Sequence, residues 1–230
     1  MRKLFILSIL LYAQPAWSAR PFVTDDARLT NSGSCQLESW ARIYPNSTEF
    51  WALPACNPTG NFEVTLGAGL SMANDAKDTA DYVMQAKTLF KALETNGWGI
   101  GFAIGKVYHP EVTPSANQLG NTYAYIPFSA SFNDDRVVMH LNVGALHDRA
   151  SNKDNMTWGI GGEFKASPKL TGVLEAYGDH QSNPFAQAGI RMAIIPNLFQ
   201  MDATVGKQLN SADDNQWVSF GVRITPDRLF

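Results

Sequence analysis

A strict two-residue alternation governs residues 216–225, Gln-Trp-Val-Ser-Phe-Gly-Val-Arg-Ile-Thr. Val218, Phe220, Val222 and Ile224 share one face, and Ser219, Gly221, Arg223 and Thr225 share the other. A period of two is that of a β-strand, whose apolar face needs a cover and whose edges need partners. The same unit recurs at residues 35–43, 49–56, 61–72, 81–91, 98–107, 122–132, 137–146, 157–165, 171–177, 185–195 and 198–206, which makes twelve runs in all. Most are roughly nine to eleven residues long, the length a tilted strand needs to cross a bilayer. No apolar run reaches the length of a spanning helix, so a chain like this would cross a membrane only as strands closed into a barrel.

The connections alternate in length. Residues 57–60, 133–136, 167–169 and 196–197 read as tight turns, and 108–121, 148–156 and 207–215 as longer loops. Short turns at one end and long loops at the other are the pattern of outer-membrane barrels, which places both termini on the periplasmic side. The hairpin turn at 44–47 is short where a long loop is expected. The apolar faces are continuous: Val64, Leu66, Ala68, Leu70 and Met72 on one strand, Ile100, Phe102 and Ile104 on another. Val137, Met139, Leu141, Val143 and Ala145 form a third, and Ala186, Ala188, Ile190, Met192 and Ile194 a fourth. At one end of these faces stand Phe90, Trp98, Phe132, Phe164 and Phe199, as a girdle at headgroup level would. The expected fold is all-β: an antiparallel up-and-down transmembrane β-barrel of about twelve strands, over residues 35–230.

Arg2 and Lys3 followed by the apolar run 4–12 and by Ala16-Trp17-Ser18 have the layout of a secretory signal peptide over residues 1–18, cut after Ser18. Export to the outer membrane of a Gram-negative cell implies contact with outer-membrane lipid and with the barrel-assembly machinery. It also implies an oxidising compartment. Cys35 and Cys56 are symmetric about the 44–47 turn, so they should stand opposite each other and form a disulfide. No C-x-x-C or paired-histidine spacing points to a metal, and no motif points to another cofactor. A formal net charge of −3 argues against a nucleic-acid partner. Residues 19–34 are not strand-like: they hold Thr24-Asp25-Asp26 and Asn31-Ser32-Gly33, and would either plug the lumen or trail in the periplasm.

The faces opposite the apolar ones carry Glu38, Arg42, Glu63, Lys87, His140, Glu163, Lys165, Glu175, Arg191, Asp202 and Arg223, which would point into the lumen. A one-residue slip would turn such charges to lipid at a cost of about 2–4 kcal/mol for an Arg or Lys at midplane, so the register is well fixed. Hairpin symmetry sets Arg191 beside Asp202, and puts Glu163 near Glu175, Glu175 near Arg191, and Asp202 near Arg223. The resulting band Glu163–Glu175–Arg191–Asp202–Arg223 reads either as a constriction that selects polar or charged solutes, with Lys87 and His140 in the same lumen, or as an ion-pair network filling a narrow barrel. No serine stands at a convincing spacing from His140 or from the loop histidines His109, His147 and His180, so an enzyme is not expected.

The run Arg20-Pro21-Phe22-Val23-Thr24-Asp25-Asp26-Ala27, with Gly33 and Gln36-Leu37-Glu38 after it, resembles the outer-membrane group named for the MetA pathway of phenol degradation. Ser167-Pro168-Lys169-Leu170 leading into Glu175-Ala176-Tyr177-Gly178 is similar to that group's late hairpin. The resemblance implies an outer-membrane barrel that takes up small, aromatic or hydrophobic compounds, and carries no catalytic residues. The cysteine pair and the ending Pro226-Asp227-Arg228-Leu229-Phe230 depart from the group's pattern. The function expected from the chain as a whole is a narrow channel or uptake protein for small molecules, with a closed structural or ligand-binding barrel as the alternative.

Overall fold

The computed structural model describes residues 21–74, 77–109, 121–149, 151–210 and 215–230. Among them are β1 (Ser34–Ile43), β2 (Ser47–Asn57), β3 (Glu63–Ala73), β4 (Thr79–Lys91), β5 (Trp98–Tyr108) and β6 (Asn121–Phe132). Then come β7 (Val137–Asp148), β8 (Lys153–Lys165), β9 (Leu170–Asp179), β10 (Phe185–Ile195), β11 (Phe199–Gln208) and β12 (Gln216–Ile224). Each strand pairs antiparallel with its neighbours in sequence, and β1 pairs with β12, so the sheet closes with no free edge. The twelve-stranded up-and-down barrel expected from the alternation is the fold. The signal-peptide reading over residues 1–18 lies outside the described residues.

The tight turns have a common chemistry. Asn133, Asp134 and Asp135 all take the left-handed backbone conformation, as do Asn96 and Asn197. Short Asn and Asp side chains tolerate that region better than other non-glycine residues do. Gly33, with φ of 71°, precedes β1, where an added Cβ would fall 2.7 Å from the Phe230 carbonyl oxygen. The N–H groups of Leu229 and Phe230 both donate to the Gly33 carbonyl, at 2.9 and 3.1 Å. The tail after β12 thus folds back over the start of β1, where the barrel closes.

Large apolar side chains point out. Leu66, Ile104, Val143, Ile190, Val205 and Phe220 are all exposed in the isolated chain. Phe90, Trp98, Phe132 and Phe164 of the expected girdle are exposed too, Phe90 most of all at 71%. The inward faces are polar and buried, which inverts the distribution of a soluble domain. Cys35 and Cys56 are paired in the β1–β2 register and joined as a disulfide, with their Cα atoms 4.0 Å apart.

Candidate functional site: the lumen and the segment inside it

Residues 21–30 run through the barrel interior, and the lumenal faces of the strands hold them at nearly every step. The carboxylate of Glu175 on β9 accepts from the N–H of Val23, at 3.0 and 3.1 Å to its two oxygens, and from the N–H of Thr24. Gln187, the cross-strand partner of Glu175 on β10, donates to the same carboxylate and, at 3.1 Å, to the Pro21 carbonyl. Asp25 meets Lys87 Nζ of β4 at 2.8 Å and accepts from the Tyr125 hydroxyl of β6 at 2.7 Å. The Asn142 amide of β7, with its oxygen and nitrogen assigned from their hydrogen-bond surroundings, pairs with the Asp25 backbone, its oxygen 2.7 Å from the N–H and its nitrogen 2.9 Å from the carbonyl. Asp26, wholly buried, stands 3.4 Å from Arg28 and 3.6 Å from Lys87. Thr30 closes the run: its N–H donates to Glu63 at 2.7 Å, and its carbonyl accepts from the Asn57 amide at 2.7 Å.

Shape reinforces this polar seat. A Cβ on Gly159 would fall 2.3 Å from Thr24 Oγ1, and one on Gly161 would fall 3.0 Å from the Phe22 ring. These two β8 positions must be small for the segment to lie where it does. Phe22 and Val173 are the two members of the one buried apolar cluster among the described residues. Most of the other contacts that seat the segment are polar, the buried Ala27 against Gly99 apart.

The lumen residues expected from the sequence do point inward, and Glu163, Glu175, Arg191, Asp202, Arg223, His140 and Lys87 are all buried. They are not arranged as one ring of direct neighbours. Arg191 and Asp202 are cross-strand partners, as hairpin symmetry requires. Glu163, however, pairs with Val173, and Glu175 with Gly161. The β8–β9 turn is centred on residue 168, as the 167–169 reading has it, and that centre sets Glu163 opposite Val173; facing Glu175 would need a centre at 169, since a one-residue move of a turn's centre slides the partner strand by two. Glu175 likewise pairs with Gln187 rather than Arg191, and Arg223 with Gln200 rather than Asp202. Arg191 instead reaches across β9 to Glu163, at 3.0 Å. The band is therefore staggered. Glu163 with Arg191 belongs to the wall, while Glu175 is turned over to the inserted segment.

One polar constellation was not expected. Ser129 on β6 and His140 on β7 are register partners, with Ser129 Oγ 2.8 Å from His140 Nδ1. Ser129 Oγ also accepts the Ala27 N–H at 2.9 Å. On its other side the His140 ring places Nε2 3.5 Å from Glu163 Oε1. The symmetry of the 133–136 turn, applied to Ser129 and His140, would have found the pair.

Two cavities flank the segment. One of about 820 Å3 opens among the tight turns and is bordered by Arg28, Thr30, Leu93, Glu94, Asp135 and Lys165. The other, about 180 Å3, lies deeper, between the segment and β1 to β6, against Val23, Asp25, Glu38, Gln85, Lys87 and Tyr125. A closed barrel with an apolar outer wall, a polar lumen and residual space beside an inserted segment has the architecture of a porin-type β-barrel.

The comparisons agree on that architecture. The barrel is similar to the KdgM porin solved in complex with disordered oligogalacturonate, with a TM-score of 0.65 at 11% identity over 83% of this chain and 99% of that one. It is similar also to the NanC porin, with a TM-score of 0.60 at 7% identity over 83% and 98%. The outer membrane protein Omp33 of Acinetobacter baumannii follows with a TM-score of 0.51 at 7% identity over 86% and 100%. At these identities the likeness is one of fold. No curated protein matches the sequence. The chain belongs to the family described as "Uncharacterised conserved protein UCP029691", whose model matches residues 6–225.

Proposed function

We propose that this protein is a channel of the Gram-negative outer membrane. Its strands stand in lipid, and small solutes pass through a lumen narrowed by residues 21–30. The observation that carries the reading is the pairing of an exposed apolar outer wall with a buried, charge-bearing inner wall that still leaves cavities on both flanks of the segment. The apolar wall needs outer-membrane lipid as its partner, and assembly machinery to reach it. Two observations bear on the solute. The KdgM likeness supports a polar one. The run that resembles the phenol-pathway group supports a small aromatic one, and that run is itself the lumenal segment. No catalytic step belongs to the proposal: Ser129 Oγ is occupied by the Ala27 N–H, and the Phe22 ring stands 5.5 Å from the His140 ring, so the pair is covered while the segment is seated.

The test is conductance of the folded full-length protein in planar bilayers, with phenol and small sugars added as competing solutes. Current through single molecules, reduced by one solute class, supports the channel and names the class. The density of contacts from Glu175, Lys87 and Ser129 to the segment favours a second reading, a barrel closed by its own chain with a structural or binding role. Silence from protein shown to be folded, with and without residues 19–33, would establish that second reading instead.

A further inference from the structure

We infer that the selectivity of the lumenal path is set by Arg28 on the inserted segment, rather than by the charged residues of the strands. This rests on the channel reading above and deepens it. The two cavities share two bordering residues, Arg28 and Thr30. A solute moving from one cavity to the other must pass between them. Thr30 is fixed at both ends of its peptide unit, by Glu63 and by Asn57, each at 2.7 Å. Arg28 is held more loosely. Its guanidinium contacts are 3.4 Å to Asp26 and 3.9 Å to Glu163, against 2.8 Å for Lys87 with Asp25 and 3.0 Å for Arg191 with Glu163. Its side chain is 13% exposed, whereas those of Lys87 and Arg191 are 3% and 2%. Of the two residues at the neck, Arg28 is the one with a long charged side chain, 13% exposed and able to swing across the path.

Charge gives the path a preference of sign. The deeper cavity is bordered by Asp25, Glu38 and Glu63 against Arg28 and Lys87. The outer one is bordered by Glu94, Asp135 and Glu163 against Arg28 and Lys165. In formal charge, three carboxylates face two cations on each side, and Arg28 is counted in both. The path therefore favours small cations and neutral solutes, with Arg28, the cation that borders both cavities, as the positive barrier between them. Charged rings and lone cations lining a narrow path act in this way on permeating ions.

The experiment is single-channel recording of the full chain and of Arg28→Lys, Arg28→Gln, Arg28→Ala and Arg28→Glu, in a KCl gradient. Folding of each is checked by heat-modifiable gel mobility and a β-type circular dichroism spectrum. Arg28→Gln keeps the shape of the side chain and serves if Arg28→Ala fails to fold. Neutral variants should raise conductance about twofold or more and move the reversal potential toward that of K+, with Arg28→Glu moving it further and Arg28→Lys little. Conducting wild type with an unchanged reversal potential in Arg28→Gln and Arg28→Glu would overturn the assignment of Arg28 and leave the channel standing. Silence of every folded variant would overturn the channel reading, and the role of Arg28 with it.

Discussion

Glu175→Ala should release the lumenal segment without opening the barrel. The Glu175 carboxylate accepts from two backbone N–H groups, of Val23 and Thr24, and from the Gln187 amide. Truncation leaves all three donors without this acceptor, in a place where Glu175 is 5% exposed. Each stranded donor costs about 1–3 kcal/mol, and water entering from the neighbouring cavities offsets part of that, so a net loss of about 3 kcal/mol is reasonable. That lowers the docking equilibrium of the segment on the order of 100-fold. Glu175→Gln keeps one oxygen for Val23 and Thr24 but sets an amide N–H against Gln187. Gln187 cannot simply turn, because its own oxygen accepts from Thr204 at 3.2 Å and its nitrogen donates to Pro21. That variant should lose about 1 kcal/mol, roughly fivefold in docking. Trypsin reads the result directly, since Arg28 sits on the segment and cleavage tracks the population that has left its seat when closing is fast. The expected order of cleavage rates in folded, detergent-solubilised protein is Glu175→Ala, then Glu175→Gln, then wild type. Equal rates in all three would refute the role given to Glu175.

Cys35→Ser should lower stability by roughly 3 kcal/mol on the chain-entropy model for a closed loop of this size, read as a lower urea midpoint that matches wild type under reducing conditions. His109 follows β5, and its Nδ1 lies 2.6 Å from Asp81 Oδ1; that hydrogen bond raises its pKa above the ordinary 6.5. A raised folded value means the contribution to stability is complete below the unfolded pKa and is lost as pH rises through the folded one. Thermal midpoints should therefore fall through the range just above pH 6.5 in wild type, and the step should vanish in His109→Ala.

Much of the fold was legible because a transmembrane barrel obeys one rule on every strand. Alternation in 216–225 or 137–146 states both the conformation and which face meets lipid, and a hairpin turn then fixes the partner. That is why Arg191 beside Asp202, and Cys35 beside Cys56, could be read by symmetry alone. Placing Glu175 beside Glu163 was two residues out, because that pairing needs a turn centred at 169, whereas Ser167-Pro168-Lys169 is centred on 168 and sets Glu163 opposite Val173. The bulge between Ala193 and Ile195 shows how locally such register can shift. The lumenal path was less legible still. Thr24-Asp25-Asp26 carries no periodicity, so nothing local says that Asp25 will meet Lys87 and Tyr125, which lie 62 and 100 residues away in sequence. The glycines at 159 and 161 were the available sign: two side-chain-free positions on an inward face mark a place where something else must fit.

The make-up of that seat argues that the segment can leave it. A plug packed by large apolar side chains would have no good alternative when withdrawn, whereas most groups here exchange a protein partner for water. The decisive question is what the wall's buried charges do without the segment, because an unpaired buried charge costs several kcal/mol. Lys87 loses Asp25 and Asp26 but keeps Glu63, its partner in the β3–β4 register. Glu163 loses Arg28 and keeps Arg191 at 3.0 Å. Glu175 gives up its segment donors Val23 and Thr24 and retains Gln187, so that, like Lys87, it keeps one wall partner. The wall is thus close to self-sufficient, and opening is local rather than a step of global unfolding. Hydrogen exchange separates the two: the amides of Val23, Thr24 and Ala27 should exchange well before the ladder amides of β8 and β9, and Glu175→Ala should speed the first set while leaving the second unchanged. Exchange of both sets together, at the rate of global unfolding, would mean that segment and barrel form one cooperative unit and that the lumen stays shut.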